Sequence, residues 1–135
     1  MREFILEANI KLISLNHAFA TLRNSRRVRS KEYVKFAAQI KQLMISRNTA
    51  FKTFEATFKP LLHEIHAELR VGMPNLFTKA GSISLTSGDI ANYEKALTDN
   101  VLTGKVSDAY ITEWKMCKFY SADHYFLLKL EIVDR

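Results

Sequence analysis

Every second residue is apolar in three separate stretches of this chain. Phe4, Leu6, Ala8, Ile10 and Leu12 alternate with Glu3, Ile5, Glu7, Asn9 and Lys11. Ile65, Ala67, Leu69 and Val71 repeat the pattern, as do Phe126, Leu128, Leu130 and Ile132 near the C-terminus. Side chains on a strand point alternately to its two faces, so each stretch predicts a strand with one buried face. A sheet of that kind must cover its apolar face, and two segments have the period to do so. After Ser30 as N-cap, residues 31–48 set Tyr33, Phe36, Ala37, Ile40, Leu43 and Met44 at helical spacing. In SGDIANYEKALTDNV, residues 87–101, the apolar Ile90, Tyr93, Leu97 and Val101 fall within roughly one third of a helical turn. Asn92, Lys95 and Asp99 cluster on the opposite side.

The remaining segments join these elements. Ala50–Phe58 reads as a short helical extension ended by Pro60, and the strand over 62–71 is closed by Gly72 and Pro74. Residues 72–88, GMPNLFTKAGSISLTSG, read as a surface loop with ISL extended. Gly104, in the C′ position, stops the second helix, and strands follow at about 108–119 and 125–133. The order is strand, helix, strand, loop, helix, strand, strand. It predicts an α/β (α+β-like) fold, a mixed β-sheet of about four strands with two main α-helices, in one domain over residues 1–135. An apolar fraction of 47% is enough for such a chain to bury a core of its own.

Charge narrows the partner. Twenty Lys and Arg against 14 Asp and Glu leave +6 at neutral pH, which points to an anionic partner, most simply nucleic acid. The excess concentrates in residues 22–35, where Arg23, Arg26, Arg27, Arg29, Lys31 and Lys35 face the single acid Glu32. An irregular basic segment of this density suits phosphate contacts, since each neutralised phosphate releases counterions; the plain alternative is a solvated basic loop. No apolar run approaches the roughly 18 residues of a membrane span, and MREFILEANIK is too charged for a signal peptide. A single cysteine, Cys117, excludes an internal disulfide and a CxxC zinc site, which makes a reduced cytoplasm the expected compartment and Cys117 a small buried or half-buried residue.

Neither a GxxxxGK[ST] phosphate loop nor a dinucleotide GxGxxG is present, and Ser and His form no nucleophile pattern. His63 and His66 make an HxxH, but on a strand that spacing sends the two rings to opposite faces. Carboxylates remain. Asp89 opens the second helix, Asp99 lies further along it, and Asp108 begins the next strand in VSDAYI. Metal-assisted phosphodiester hydrolysis needs two or three carboxylates converging from different elements, and this spacing permits that without demanding it.

The segment DIANYEKALTDNV…VSDAYI resembles the signature of RusA-type Holliday junction resolvases: Asp-x-Asp-Asn-x-x-Lys-x-x-x-Asp, then an aspartate about nine residues on. Asp89, Asn92, Lys95, Asp99 and Asp108 fall on matching positions. Upstream, SLNHAF, a basic stretch and SKEYVKFAAQI are similar to the family's Ser-Asn strand exit, basic segment and first helix. The resemblance implies a Mg²⁺-dependent (or Mn²⁺-dependent) endonuclease that resolves four-way or other branched DNA in a bacterial or phage setting. It implies a homodimer, Asp89 and Asp108 as metal ligands, Lys95 completing the site, and Asn92 and Asp99 in support. One departure is plain: the second aspartate is Ala91, so metal binding and turnover are expected to be impaired, whether the alanine is engineered or natural. Ser84, Thr86 and Ser87 stand where the family often has arginines, leaving Lys79 and Arg23–Arg29 to compensate. Two other readings stay open: a junction- or nucleic-acid-binding protein without catalysis, and a basic module that binds an acidic protein.

Overall fold

A computed structural model describes residues 2–13, 31–83, 90–102 and 104–135. In chain order the elements are β1 (Glu3–Ala8), α1 (Lys31–Ser46), α2 (Asn48–Thr57), β2 (His63–Met73), α3 (Ile90–Val101), β3 (Ile111–Tyr120) and β4 (Tyr125–Asp134). The four strands form one mixed sheet in the order β1-β4-β2-β3. β4 runs antiparallel to both β1 and β2, while β3 lies parallel to β2. The α+β architecture expected from the alternation of periods is the one observed.

The buried face is the one the alternation marks. Ile65, Ala67, Leu69 and Val71 of β2, Phe126, Leu128, Leu130 and Ile132 of β4, and Phe4 and Leu6 of β1 are all buried. α1 packs on α2 and α3, α2 on β1, and α3 on β3. Tyr33, Phe36 and Ile40 of α1 and Tyr93, Leu97 and Val101 of α3 fill the space between. At the junction of α1 and α2, the Arg47 guanidinium donates to the Ile5 carbonyl at 3.1 Å and sits 5.6 Å from the Phe4 ring, tying the helical layer to the edge strand. The opposite face of the sheet is polar, with His66 paired to Glu113 at 3.0 Å and Lys129 to Glu3 at 3.5 Å.

Boundaries moved where local pattern was silent. β1 stops at Ala8, short of the 3–13 expected, although Leu12 and Ile13 remain buried as an irregular continuation. β2 runs through Gly72 rather than stopping there, because the glycine is needed inside the strand: a Cβ would lie 2.8 Å from Ser121 Cβ and 2.9 Å from Phe119 Cζ. α3 ends at Val101, so Gly104, with φ +77°, turns the chain after the helix and is not its C′ residue. β3 begins at Ile111, and Asp108–Tyr110 forms a single 3₁₀ turn before it. Cys117 is exposed, correcting the buried or half-buried expectation; β3 is an edge strand, and its residue 117 pairs with Arg70 on the polar face. Ser30 and the basic segment before it lie outside the described residues.

Candidate functional site

Parallel pairing of β2 and β3 forces the chain to return from one end of the sheet to the other, and α3 makes that return. The return carries α3 back toward the 3₁₀ turn that leads into β3. Lys95 Nζ lies 3.2 Å from Asp108 Oδ2 and 3.3 Å from Asp99 Oδ1, the latter one helical turn along the same exposed stripe. The hydrogen bond to Asp108, and then that to Asp99, raise the Lys95 pKa above its ordinary value, so the ammonium is held charged. Around this ion group opens a cleft of about 300 Å³, lined also by Tyr33, Thr98, Asn100 and Ser107.

Three residues of α3 near this group were not singled out in the sequence. Asn100 donates to the Tyr33 hydroxyl at 3.2 Å and to the Ala96 carbonyl at 2.9 Å, fastening α3 to α1 behind the cleft. The buried Thr98 hydroxyl lies 3.0 Å from the Glu94 carbonyl oxygen and 3.2 Å from Glu94 Oε1. Glu94 is the third. Burial raises its pKa above the usual carboxylate value, against the lowering effects of Thr98 and Lys95. The i, i+4 pairing of Glu94 with Thr98 was visible, but Glu94 borders the apolar stripe, and nothing local indicates how far the packed neighbours of α3 desolvate that border.

This gives a prediction with a definite sign. Burial favours neutral Glu94 in the folded chain, so its contribution to stability is fully present below the unfolded pKa and is lost as pH rises through the folded one. Glu94→Gln is neutral throughout and still accepts from Thr98. It should melt above the parent near pH 8, with the gap closing as pH falls below the ordinary carboxylate range. Thermal melts across that range check it, and a gap that does not depend on pH rejects it.

The remaining sequence candidates fall out as follows. Lys95, Asp99 and Asp108 come together. Ala91 is exposed in the first turn of α3, one turn before Lys95, and Asn92 beside it is half-buried. Lys31 is exposed at the start of α1. Lys79 is exposed between Phe77 and Ile83, which pair in an isolated antiparallel bridge. Asp89, Arg23, Arg26, Arg27, Arg29, Ser84, Thr86 and Ser87 lie outside the described residues. Asp108 belongs to the 3₁₀ turn rather than to the strand itself. His63 and His66 do face opposite ways: His63 is buried, and His66 pairs with Glu113 on the polar face.

The donors in place do not by themselves fit a Mg²⁺ ion, which takes a near-octahedral set of oxygens. Asp99 and Asp108 both hold the Lys95 ammonium, and among the described residues no group of three or more His, Cys, Asp or Glu is placed to hold a metal. No helix among the described residues is long and apolar enough to cross a membrane. No protein-family model matches the chain, and no curated protein matches it.

Proposed function

We propose that this protein binds branched DNA and carries a RusA-type endonuclease site whose Mg²⁺-dependent nicking is impaired by alanine at position 91. One observation carries the reading. Lys95 and Asp108, both signature positions of that family, stand 13 residues apart in the chain and meet at 3.2 Å in an open cleft. Neither side chain is buried, so core packing does not account for their meeting. In this reading Lys95 supplies a charge-assisted donor to a phosphate oxygen, and because Asp99 and Asp108 leave the group net negative, the basic surface elsewhere on the chain supplies the remaining attraction. Net charge +6 supports the same partner. In this reading the chain acts as a homodimer, because a four-way junction is close to two-fold symmetric and paired nicks need two sites in that relation.

A junction-binding protein without catalysis is the second reading. The alanine at position 91 favours it, since it takes one carboxylate from the set.

The partner class is testable apart from chemistry. Arg26→Ala combined with Arg27→Ala should weaken binding to all four-way junction sequences alike and flatten the slope of log affinity against log salt by about 1–2 units. Equilibrium titration of labelled junctions across a salt series measures both. Unchanged affinity and slope would show the arginines to be a solvated surface only.

A further inference from the structure

The turn between α2 and β2 presents two leucines to solvent on a rigid mount. Leu61 is 89% exposed and Leu62 63%, the former the most exposed large apolar side chain among the described residues. The mount is heavily hydrogen-bonded. The Leu62 and His63 amides donate to the Lys59 carbonyl at 2.9 and 2.8 Å, and the Arg135 amide donates to the Leu62 carbonyl at 3.1 Å. The Lys59 amide donates to Nδ1 of buried His63 at 2.9 Å, which leaves the ring proton on Nε2, facing Asp134 Oδ1 at 3.5 Å. Phe58, fully buried, anchors the turn from below. A turn this firmly braced does not fold its leucines inward.

Its position ties it to the candidate site. β2 and β3 are parallel neighbours with Ile65 opposite Ile111, so the turns that lead into them lie side by side at one end of the sheet. One lead-in is Lys59–Leu62; the other is Asp108–Tyr110, which carries the Asp108 carboxylate. Phe58, which immediately precedes the first, meets Tyr110 of the second edge-on at 5.1 Å. Cations flank the leucines: exposed Lys59, Arg135, and Arg2, which pairs with Asp134 at 3.0 Å.

We propose that Leu61 and Leu62 form an apolar wedge that enters the branch point of a DNA junction and covers the bases unstacked there, while Lys59 and Arg135 meet the adjoining phosphates. The inference rests on the DNA-binding reading above and names the part of the substrate that the site selects. Leucine is among the residues that wedge between base steps, and a branch point lowers the cost because its bases are already less well stacked. Lys59, Arg135 and Arg2 outnumber Asp134 on this border, which suits adjoining phosphates, and the Phe58–Tyr110 contact puts the turn at the same end of the sheet as the Asp108 turn.

The experiment uses the full chain, a four-way junction bearing 2-aminopurine at the exchange point, and a linear duplex of the same sequence. Binding should raise the 2-aminopurine fluorescence of the junction. Leu61→Ser with Leu62→Ser should abolish that rise and lower junction affinity about tenfold, toward the affinity for duplex. Leu61→Phe should keep both. Leu61→Ser alone, at a position with almost no packing, should show the same trend if the double variant folds poorly. Junction binding by the parent without a fluorescence rise, or an undiminished rise in the serine variants, overturns the wedge and leaves the DNA-binding reading standing. Binding of the parent to phosphatidylserine vesicles that the serine variants lose, with fluorescence unmoved, assigns the turn to a membrane surface and also overturns it. A parent dimer that the serine variants convert to monomer, again with fluorescence unmoved, assigns the leucines to a second copy. Failure of the parent to bind either DNA removes the DNA-binding reading and the wedge together.

Discussion

Replacing Ala91 with aspartate should confer Mg²⁺-dependent nicking of a four-way junction at least about 100-fold above that of the chain as it stands, the scale expected when a misplaced reacting group is put right. Residue 91 is exposed in the first turn of α3, one turn before Lys95, so the substitution disturbs no core. The first turn of α3 contains no acid, and a carboxylate there meets the positive end of the helix dipole, worth about 0.3–1 kcal/mol of stabilisation. Folding is therefore expected to be preserved or slightly improved. On the family resemblance the new carboxylate would complete the set of Asp89, residue 91 and Asp108, the last of which now holds the Lys95 ammonium. Mg²⁺ binds weakly through one or two carboxylates and keeps several waters, so one added ligand affects both its occupancy and its placement. On the proposed reading the added negative charge should also cost some affinity for DNA, through repulsion of the phosphates. Asp89→Asn or Asp108→Asn in the Ala91→Asp background should remove the activity again, and Lys95→Ala should severely reduce it. Strand-specific nicking assays with Mg²⁺ and with Mn²⁺ read all of this. An Ala91→Asp protein that folds, binds junctions and cuts with neither ion ends the nuclease reading in favour of the binding-protein one.

The second large effect concerns the layer that holds the site in place. Phe54 of α2 is 0% exposed and lies 6.2 Å from the Phe4 ring and 6.3 Å from Phe51. Phe51 in turn meets Phe4 edge-on at 5.1 Å. This trio joins the helical layer to β1, the outermost strand on that side of the sheet. Phe54→Ala should destabilise by about 3–5 kcal/mol, because the transfer energy of the ring is lost and the rigid surround does not close over the cavity. Against a typical net stability of about 5–15 kcal/mol that is a large share, and the melting temperature should fall by roughly 10–20 °C. Urea denaturation should show a lower midpoint with an unchanged slope. An unfolding free energy within about 0.5 kcal/mol of the parent would mean that the site collapses freely and that the aromatic trio is not what joins the layers.

Most of what could be read from the sequence was periodic. Alternation at 65–71 and 126–132 named the inward faces of β2 and β4, and helical spacing named the buried stripes of α1 and α3, because burial on one face is a local demand that each segment meets in its own pattern. Of the polar side read as Asn92, Lys95 and Asp99, the last two are exposed for the same reason, while Asn92 is half-buried. Other features depend on what lies across from a residue, and no local pattern encodes that. The β1-β4-β2-β3 order, with β3 parallel to β2, is a matter of partner choice, and it alone brings Asp108 to Lys95 and the Leu61 turn to the Asp108 turn. Desolvation of Glu94 follows from the elements packed around α3. Leu61 and Leu62 would be taken for core from their side chains, and Cys117 was expected to be at least half-buried. Hydrogen bonds from Lys59, His63 and Arg135 hold the leucines outward, and edge-strand placement leaves the cysteine exposed, so residue type set the chemistry while tertiary pairing decided which side of the protein would carry it.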